Sequence, residues 1–199
     1  MGLSAEYLLN GTELDEAALA DTRTKASVGQ VATVYARLVE QGHGTETAFE
    51  PGRALTPFQY GAFGVAIVTA TCMAEEFDPV FLYPELESTV VQMRLESHGD
   101  MTRHVFRDNV QATGLNRFLV EIQTAMAVSF MKKINGSAFP IKEIWFTYDA
   151  SDEQERYDEI FGCTLRFGQP YNACLSETWM LKQSFVEANA LTNVDMNDL

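Results

Sequence analysis

Basic side chains are scarce in this sequence: 14 Lys and Arg stand against 28 Asp and Glu in 199 residues, a formal charge of −14. Duplex nucleic acid draws its affinity from cations that neutralise phosphates, so a surface this acidic repels it. The chain by itself is therefore not expected to bind DNA. Cysteine is sparse as well. Cys72, Cys163 and Cys174 form an odd set without Cys-x-x-Cys spacing, which argues against a disulfide framework and for a reducing cytoplasm. Long hydrophobic runs are missing too. The stretch from Phe63 to Met73 is interrupted by Thr69 and Thr71, too short and too polar for a membrane span. Met1 to Glu6 carry no basic segment ahead of an apolar one, so no secretory leader is expected, and Glu6 departs from the myristoylation pattern.

The residues of catalysis are thinly supplied. His43 stands between two glycines and His98 in a turn, neither with a second His or a Cys at i+2 or i+4, so no metal and no cofactor are expected. There is no Gly-x-Ser-x-Gly and no glycine loop of the phosphate-cradling kind. The neighbouring pairs Glu75-Glu76 and Asp152-Glu153 point apart on a helix and read as solvated faces. Cys163 is the best nucleophile on offer, yet it follows a helix end, where no dipole lowers its pKa.

What the chain does have is an ordinary globular composition, 46% hydrophobic and 21% charged, enough for a real core. Its first part reads helical. Ser4 to Asn10 has helical spacing, and Thr12 can cap a helix over Glu13 to Leu19. Ser27 opens an amphipathic run through Val39 that Gly42 and Gly44 stop. A loop through Pro51 and Gly52 follows, then a helix from Thr56-Pro57 and another over Met73 to Tyr83. The period then changes. Thr89 to Ser97 alternates, with Val91, Met93 and Leu95 on one face, and returns over Thr102 to Asp108 as a hairpin. Leu115 to Ile134 is the clearest helix. Ile141 to Tyr148 reads as a strand, and Ser151 caps a short helix ending at Phe161 and Gly162. Short strands around the Gly168-Gln169-Pro170 turn complete the pattern. The expectation is an α+β fold: a helical part over residues 1–85 packed on a small, mostly antiparallel sheet of order ββαβαβ over 86–188. Residues 189–199 are polar and read as a linker.

The run Tyr157-Asp158-Glu159-Ile160-Phe161-Gly162-Cys163-Thr164-Leu165-Arg166-Phe167-Gly168-Gln169-Pro170-Tyr171-Asn172 resembles the ligand-binding domain of one AraC-type branch of transcription regulators. That branch carries Phe-Gly-Cys, an apolar strand and Arg-Phe-Gly-x-Pro-x-Asn. Tyr60-Gly61-Ala62-Phe63-Gly64-Val65-Ala66 is similar to its Tyr-Gly-x-x-Gly-Tyr-Ala segment, and Leu9-Asn10-Gly11-Thr12 suits its start. Val65 and Tyr148 depart from it, standing where the branch commonly has Tyr and His. Gly162, Arg166, Gly168 and Pro170 all read as makers of the fold, so the motif marks a family without marking a ligand site.

The resemblance implies a bacterial, cytoplasmic sensor of a small metabolite, such as an amino acid or another small organic acid. DNA would be reached only through a carboxy-terminal pair of helix-turn-helix units that follows residue 199. A homodimer is a further partner the reading allows. An apolar pocket with a few placed polar groups is expected between hairpin, long helix and Phe58–Met73 helix. Its candidate lining is Tyr60, Phe63, Met93, His104, Gln123, Met126 and Trp145. Burial tendencies favour plain core for Phe63 and Met126, and strand alternation favours an exposed place for His104. Gln123 and Trp145 are more diagnostic, because a buried amide or indole N–H needs a partner. Two rivals stand beside the sensor: a dimerisation or polymerase-contact module without a small ligand, and a small thiol enzyme using Cys163.

Overall fold

A computed structural model of the chain describes residues 3–21, 23–41, 46–54, 65, 69–72, 74–75, 91–108, 115–135, 141–150, 154–182 and 184. The expected helices from Thr56 and from Met73 fall largely outside these residues. So do Gly42, Gly44, Ser151 and the tail 189–199.

Three short amphipathic segments open the fold. Helix α1 (Ala5–Leu9) starts where the Ser4 hydroxyl accepts the Tyr7 N–H. Helix α2 (Glu16–Ala20) is capped by Asp15, whose carboxylate accepts the Ala18 N–H at 2.7 Å. Thr12, expected as that cap, instead lies buried and ties the preceding turn through Leu9 and Leu14. Helix α3 (Val28–Glu40) begins with a capping box in which Ser27 and Gln30 satisfy each other's backbone. Its Gln30 amide reaches the Thr12 carbonyl at 2.6 Å, and Arg37 holds the Tyr7 carbonyl at 2.9 Å. These bonds fix α1 and the turn after it against α3.

Pro51 and Gly52, expected in a loop, lie inside helix α4 (Glu46–Ala54). Neither residue favours a helix interior. Tertiary contact overrides both: α4 lies against helix α5 (Asn116–Asn135), with Ala48 and Phe49 buried in the common core. Glycine is what permits the approach. A Cβ on Gly52 would stand 2.7 Å from the Ile122 carbonyl oxygen and 2.8 Å from the Ala125 Cβ.

Among the described residues the sheet has five strands: β1 (Val91–His98), β2 (Met101–Asp108), β3 (Ile141–Trp145), β4 (Thr164–Arg166) and β5 (Asn172–Glu177). With α5 after β2 and α6 (Gln154–Phe161) after β3, the described chain order is ββαβαββ; both short strands read around the Gly168–Pro170 turn are present, so the expected order ββαβαβ is corrected by one strand. The extra strand comes from the Gly168–Pro170 turn, which returns the chain into the sheet. In space the order is β1-β2-β5-β3-β4, so the last strand takes the middle place. The sheet is mixed: β3 and β4 run parallel, as the intervening α6 crossover requires, and the other pairs are antiparallel. Hairpin β1–β2 closes on Gly99 at φ +63°. In β3 the register shifts between Ile141 and Glu143, which lets Ile141 and Ile144 both face the core.

Gly52→Ala separates packing from propensity. Alanine is the better helix former by about 1 kcal/mol, whereas overpacking a tight contact costs about 1–3 kcal/mol. The clash is with backbone, so we expect a net loss, read in thermal denaturation as about 2–4 °C per kcal/mol. A raised Tm would refute the contact.

Candidate functional site

Helix α5 is the hub of the molecule. Every residue from Phe118 to Met126 is buried, which a one-sided amphipathic helix would not show. The stripe against α4 includes Ile122, Ala125 and Met126. Val120, Thr124, Ala127 and Met131 lie on the opposite side by their spacing. Burying the whole circumference takes polar side chains inside with it: Glu121 at 3% exposure, Gln123 at 7% and Thr124 at 0%.

Glu121 survives burial because partners surround it. Arg117, one turn earlier, donates its Nε at 2.7 Å, and the Tyr157 hydroxyl of α6 donates to the same carboxylate oxygen. Arg117 also bonds the Tyr157 hydroxyl at 3.0 Å and lies over the Tyr148 ring. Burial pushes the Glu121 carboxyl above its ordinary range, against the pull of Arg117 and Tyr157. Burial and the nearby Glu121 carboxylate likewise hold the Tyr148 and Tyr157 hydroxyls protonated. Around this cluster lies an aromatic layer in which Phe146 contacts Tyr148, Tyr157, Phe161 and Phe167. Among the described residues the buried hydroxyls of Thr47 and Thr124 have no hydrogen-bond partner, whereas that of Tyr148 lies beside Glu121 and Tyr157. None of this chemistry is nucleophilic; it presents donors and acceptors in an apolar setting.

The Arg166–Asn172 motif clamps the end of β3. Arg166 grips Glu143 through two nitrogens, at 2.7 and 3.0 Å. Gly168, at φ +64°, donates to the Tyr148 carbonyl, Gln169 donates to the Phe146 carbonyl, and Asn172 accepts the Thr147 N–H. The motif thus positions Tyr148 within the cluster.

The candidate lining residues divide between surfaces. Met93 is half-buried on β1 and opposite Phe106, on the sheet face that carries the core. His104 shares that face, opposite Leu95 and Cys174. The exposed place expected for it is corrected: it is fully buried, with Nε2 at 2.9 Å from the Ser176 hydroxyl. Burial pushes its pKa down to about 4, so it is neutral. Gln123 and Met126 are buried on α5, three residues apart. Trp145 lies on the other face of the sheet, with Val105, Ala173 and Leu175. Its indole N–H is taken by Glu143 at 2.8 Å, and Arg103 lies over the rings of Trp145 and Tyr171. Trp145 therefore does not share a surface with Met93 and His104. Tyr60 and Phe63 lie outside the described residues. Sequence reading missed Arg117, Glu121 and Tyr157; the i, i+4 pair in a strongly apolar helix was the available signal.

A family model described as the arabinose-binding domain of AraC transcription regulators, N-terminal, matches residues 2–183. A search of curated proteins finds no match. Among solved structures, the chain is similar to the transcriptional regulator CdpR from Pseudomonas aeruginosa, with 12% identity and a TM-score of 0.70. That likeness covers 89% of this chain and 57% of the CdpR chain. It is a likeness of fold.

Two substitutions test this geometry. Tyr157→Phe removes a donor from buried Glu121 and should cost about 1–3 kcal/mol in denaturant unfolding; an unchanged midpoint would show the bond to be idle. His104 has a depressed pKa in the folded state, about 4 against 6.5 for the ordinary side chain. Between those values the unfolded chain binds more protons, so the stability it contributes is present above pH 6.5 and lost as pH falls to 4. At about 1.4 kcal/mol per unit, the wild type should lose roughly 3 kcal/mol relative to His104→Gln across that window. Parallel pH profiles of the two proteins would contradict it.

Proposed function

Because the chain belongs to the N-terminal arabinose-binding-domain family of AraC transcription regulators, we propose that it is the effector-sensing half of a transcription activator, binding a small metabolite and controlling an attached DNA-binding domain. The family match across residues 2–183 carries this reading. The family and the solved relative are transcription regulators, not enzymes. Burial also pushes the Cys163 thiol up to about 11, which leaves it protonated at neutral pH and removes support for a thiol enzyme. Among the described residues no helix is long and apolar enough to cross a membrane.

In this reading residues 1–188 form the sensor and 189–199 begin the connection to the DNA reader. The net charge of −14 supports a division of labour, since phosphate contacts would have to come from another domain. The effector sits where apolar walls meet a few polar groups: Met93 and His104 from the hairpin, Gln123 and Met126 from α5; Tyr60 and Phe63, the other candidates, lie outside the described residues. The buried Thr47 and Thr124 hydroxyls add hydrogen-bonding capacity to the same core. Trp145, on the other face, is left out of this pocket. Switching follows from differential affinity: an effector that binds one arrangement of sensor and reader more tightly draws the population toward it.

Native mass spectrometry of the gently purified protein, followed by a thermal-shift screen of metabolites, tests the proposal. The expected result is a co-purified small molecule or a saturating stabilisation, about 2.7 kcal/mol at a hundredfold excess over Kd. Gln123→Leu should keep the fold by circular dichroism and lose that stabilisation. A ligand-free dimer that no metabolite stabilises would replace the sensor by a dimerisation or polymerase-contact module.

A further inference from the structure

Strand β1 forms one side of the sheet: among the described residues it pairs with β2 alone, from Val91 to His98 and without a break in register. Which of its main-chain groups face away from β2 follows from the hairpin. A two-residue loop, Gly99 and Asp100, makes His98 and Met101 a hydrogen-bonded pair, so the even-numbered residues of β1 turn their N–H and C=O toward β2. The far side of β2 agrees. The Asp100 carbonyl accepts the Thr178 N–H at 2.7 Å, which places the even-numbered residues of β2 toward β5 and its odd-numbered residues toward β1. Met93, Leu95 and Ser97 therefore aim their main-chain donors and acceptors outward, at the edge of the sheet.

Proteins commonly blunt such an edge with proline, lysine, a bulge or a very short strand, and β1 has none of these. Its charges follow a pattern instead. On the face away from the core, Arg94 is exposed and Glu96 is half-exposed, two residues apart. Arg94 has Val105 opposite it and makes no ion pair among the described residues. Glu96 has His98 at 4.0 Å and Arg103 opposite, whose guanidinium lies over the Trp145 and Tyr171 rings. The hairpin is also balanced in charge within a chain of −14: Arg94, Arg103 and Arg107 stand against Glu96, Asp100 and Asp108. Two copies of the chain repel least where this balance holds.

We propose that β1 pairs antiparallel with β1 of a second copy of this chain, about a two-fold axis at Leu95, making one sheet that runs through both copies. In that register Arg94 meets Glu96 of the second copy, twice by symmetry, and Leu95 meets Leu95 at the rim of the core. Met93 meets Ser97 in the same way, so the outward residues form about six main-chain hydrogen bonds, two to each such pair. Charge selects this register over its neighbours. Centred on Arg94, the pairing sets arginine against arginine; centred on Glu96, it sets carboxylate against carboxylate. A centre at Met93 gives Arg94 only Gln92, and a centre at Ser97 runs the overlap into the Gly99 turn. The pairing uses the edge of the sheet and needs no effector in the core.

The test is sedimentation velocity of the 199-residue protein over a wide concentration series at physiological ionic strength, without metabolites. A reversible monomer–dimer equilibrium is expected. Arg94→Glu alone and Glu96→Arg alone each create two like-charge pairs and should weaken the dimer at least tenfold. The double variant, with the two charges exchanged, should recover it. An equimolar mixture of the two single variants should associate although neither does so alone, which also shows both to be folded. Amide exchange at Met93, Leu95 and Ser97 should slow as the protein is concentrated. The proposal is overturned by a monomer at every concentration, by a dimer indifferent to the single reversals, by a mixture that stays monomeric, or by exchange at those amides that ignores concentration. Gln123→Leu should leave the dimer intact, so loss of effector binding and loss of pairing are read separately.

Discussion

A helix buried on every side cannot be wholly apolar and still be placed with precision, and α5 shows how that constraint is met. Glu121 is the most exacting residue on it. A carboxylate at 3% exposure is tolerable only with donors on its oxygens, and Arg117 and Tyr157 supply them. The consequence is positional. Tyr157 can reach Glu121 only when α6 lies along α5, and α6 is tied through Phe161 and Phe167 to the end of β3. The buried pair thus sets the register of α6 and, through it, the parallel pairing of β3 with β4. The hydrophobic effect gathers these elements but does not by itself distinguish one rotation of α5 from the next.

Much of this was legible in the sequence, for identifiable reasons. The hairpin is announced by strict alternation around His98-Gly99-Asp100, and α3 by Ser27 and Gln30 at capping-box spacing. Both signals are local. The errors arise where distant contact overrides local preference. Pro51 and Gly52 spell a loop until α5 is present to be touched, and Gly52 is a helix residue only because a neighbour needs the room. His104 reads as exposed from alternation, since β2 has β5 beside it and α5 above, and neither is visible from residues 101–108 alone. Of the candidate ligand residues, Met93 was legible from the alternation of β1, which puts it on the same face as Val91 and Leu95. Trp145 was chosen for its indole N–H, and the partner of that N–H is Glu143, two residues earlier on the same face of β3.

The two faces of the sheet carry different chemistry. The inner face is continuous with the aromatic layer and the polar residues of α5. The outer face has a small apolar set, Val105, Ala173 and Leu175, with Trp145, Tyr171 and Arg103 stacked beside it. A sensor has to join one surface that recognises an effector to another that transmits its presence. Both faces of this sheet are carried by the same strands, so a shift of β2 or β5 moves side chains on either side, which is what the proposed sensor role would use.

The position of β5 has a consequence for how the protein is made. It pairs with β2, about seventy residues earlier in the chain, and with β3, yet among the described strands it is the last to leave the ribosome. Until it emerges, the β1–β2 hairpin and the β3–α6–β4 unit are separate pieces, each with an unpaired edge and an apolar side. The centre of the sheet is therefore its final component. Nascent chains halted before residue 172 hold most of the hydrophobic core residues and no means of closing over them, a state that invites chaperone binding.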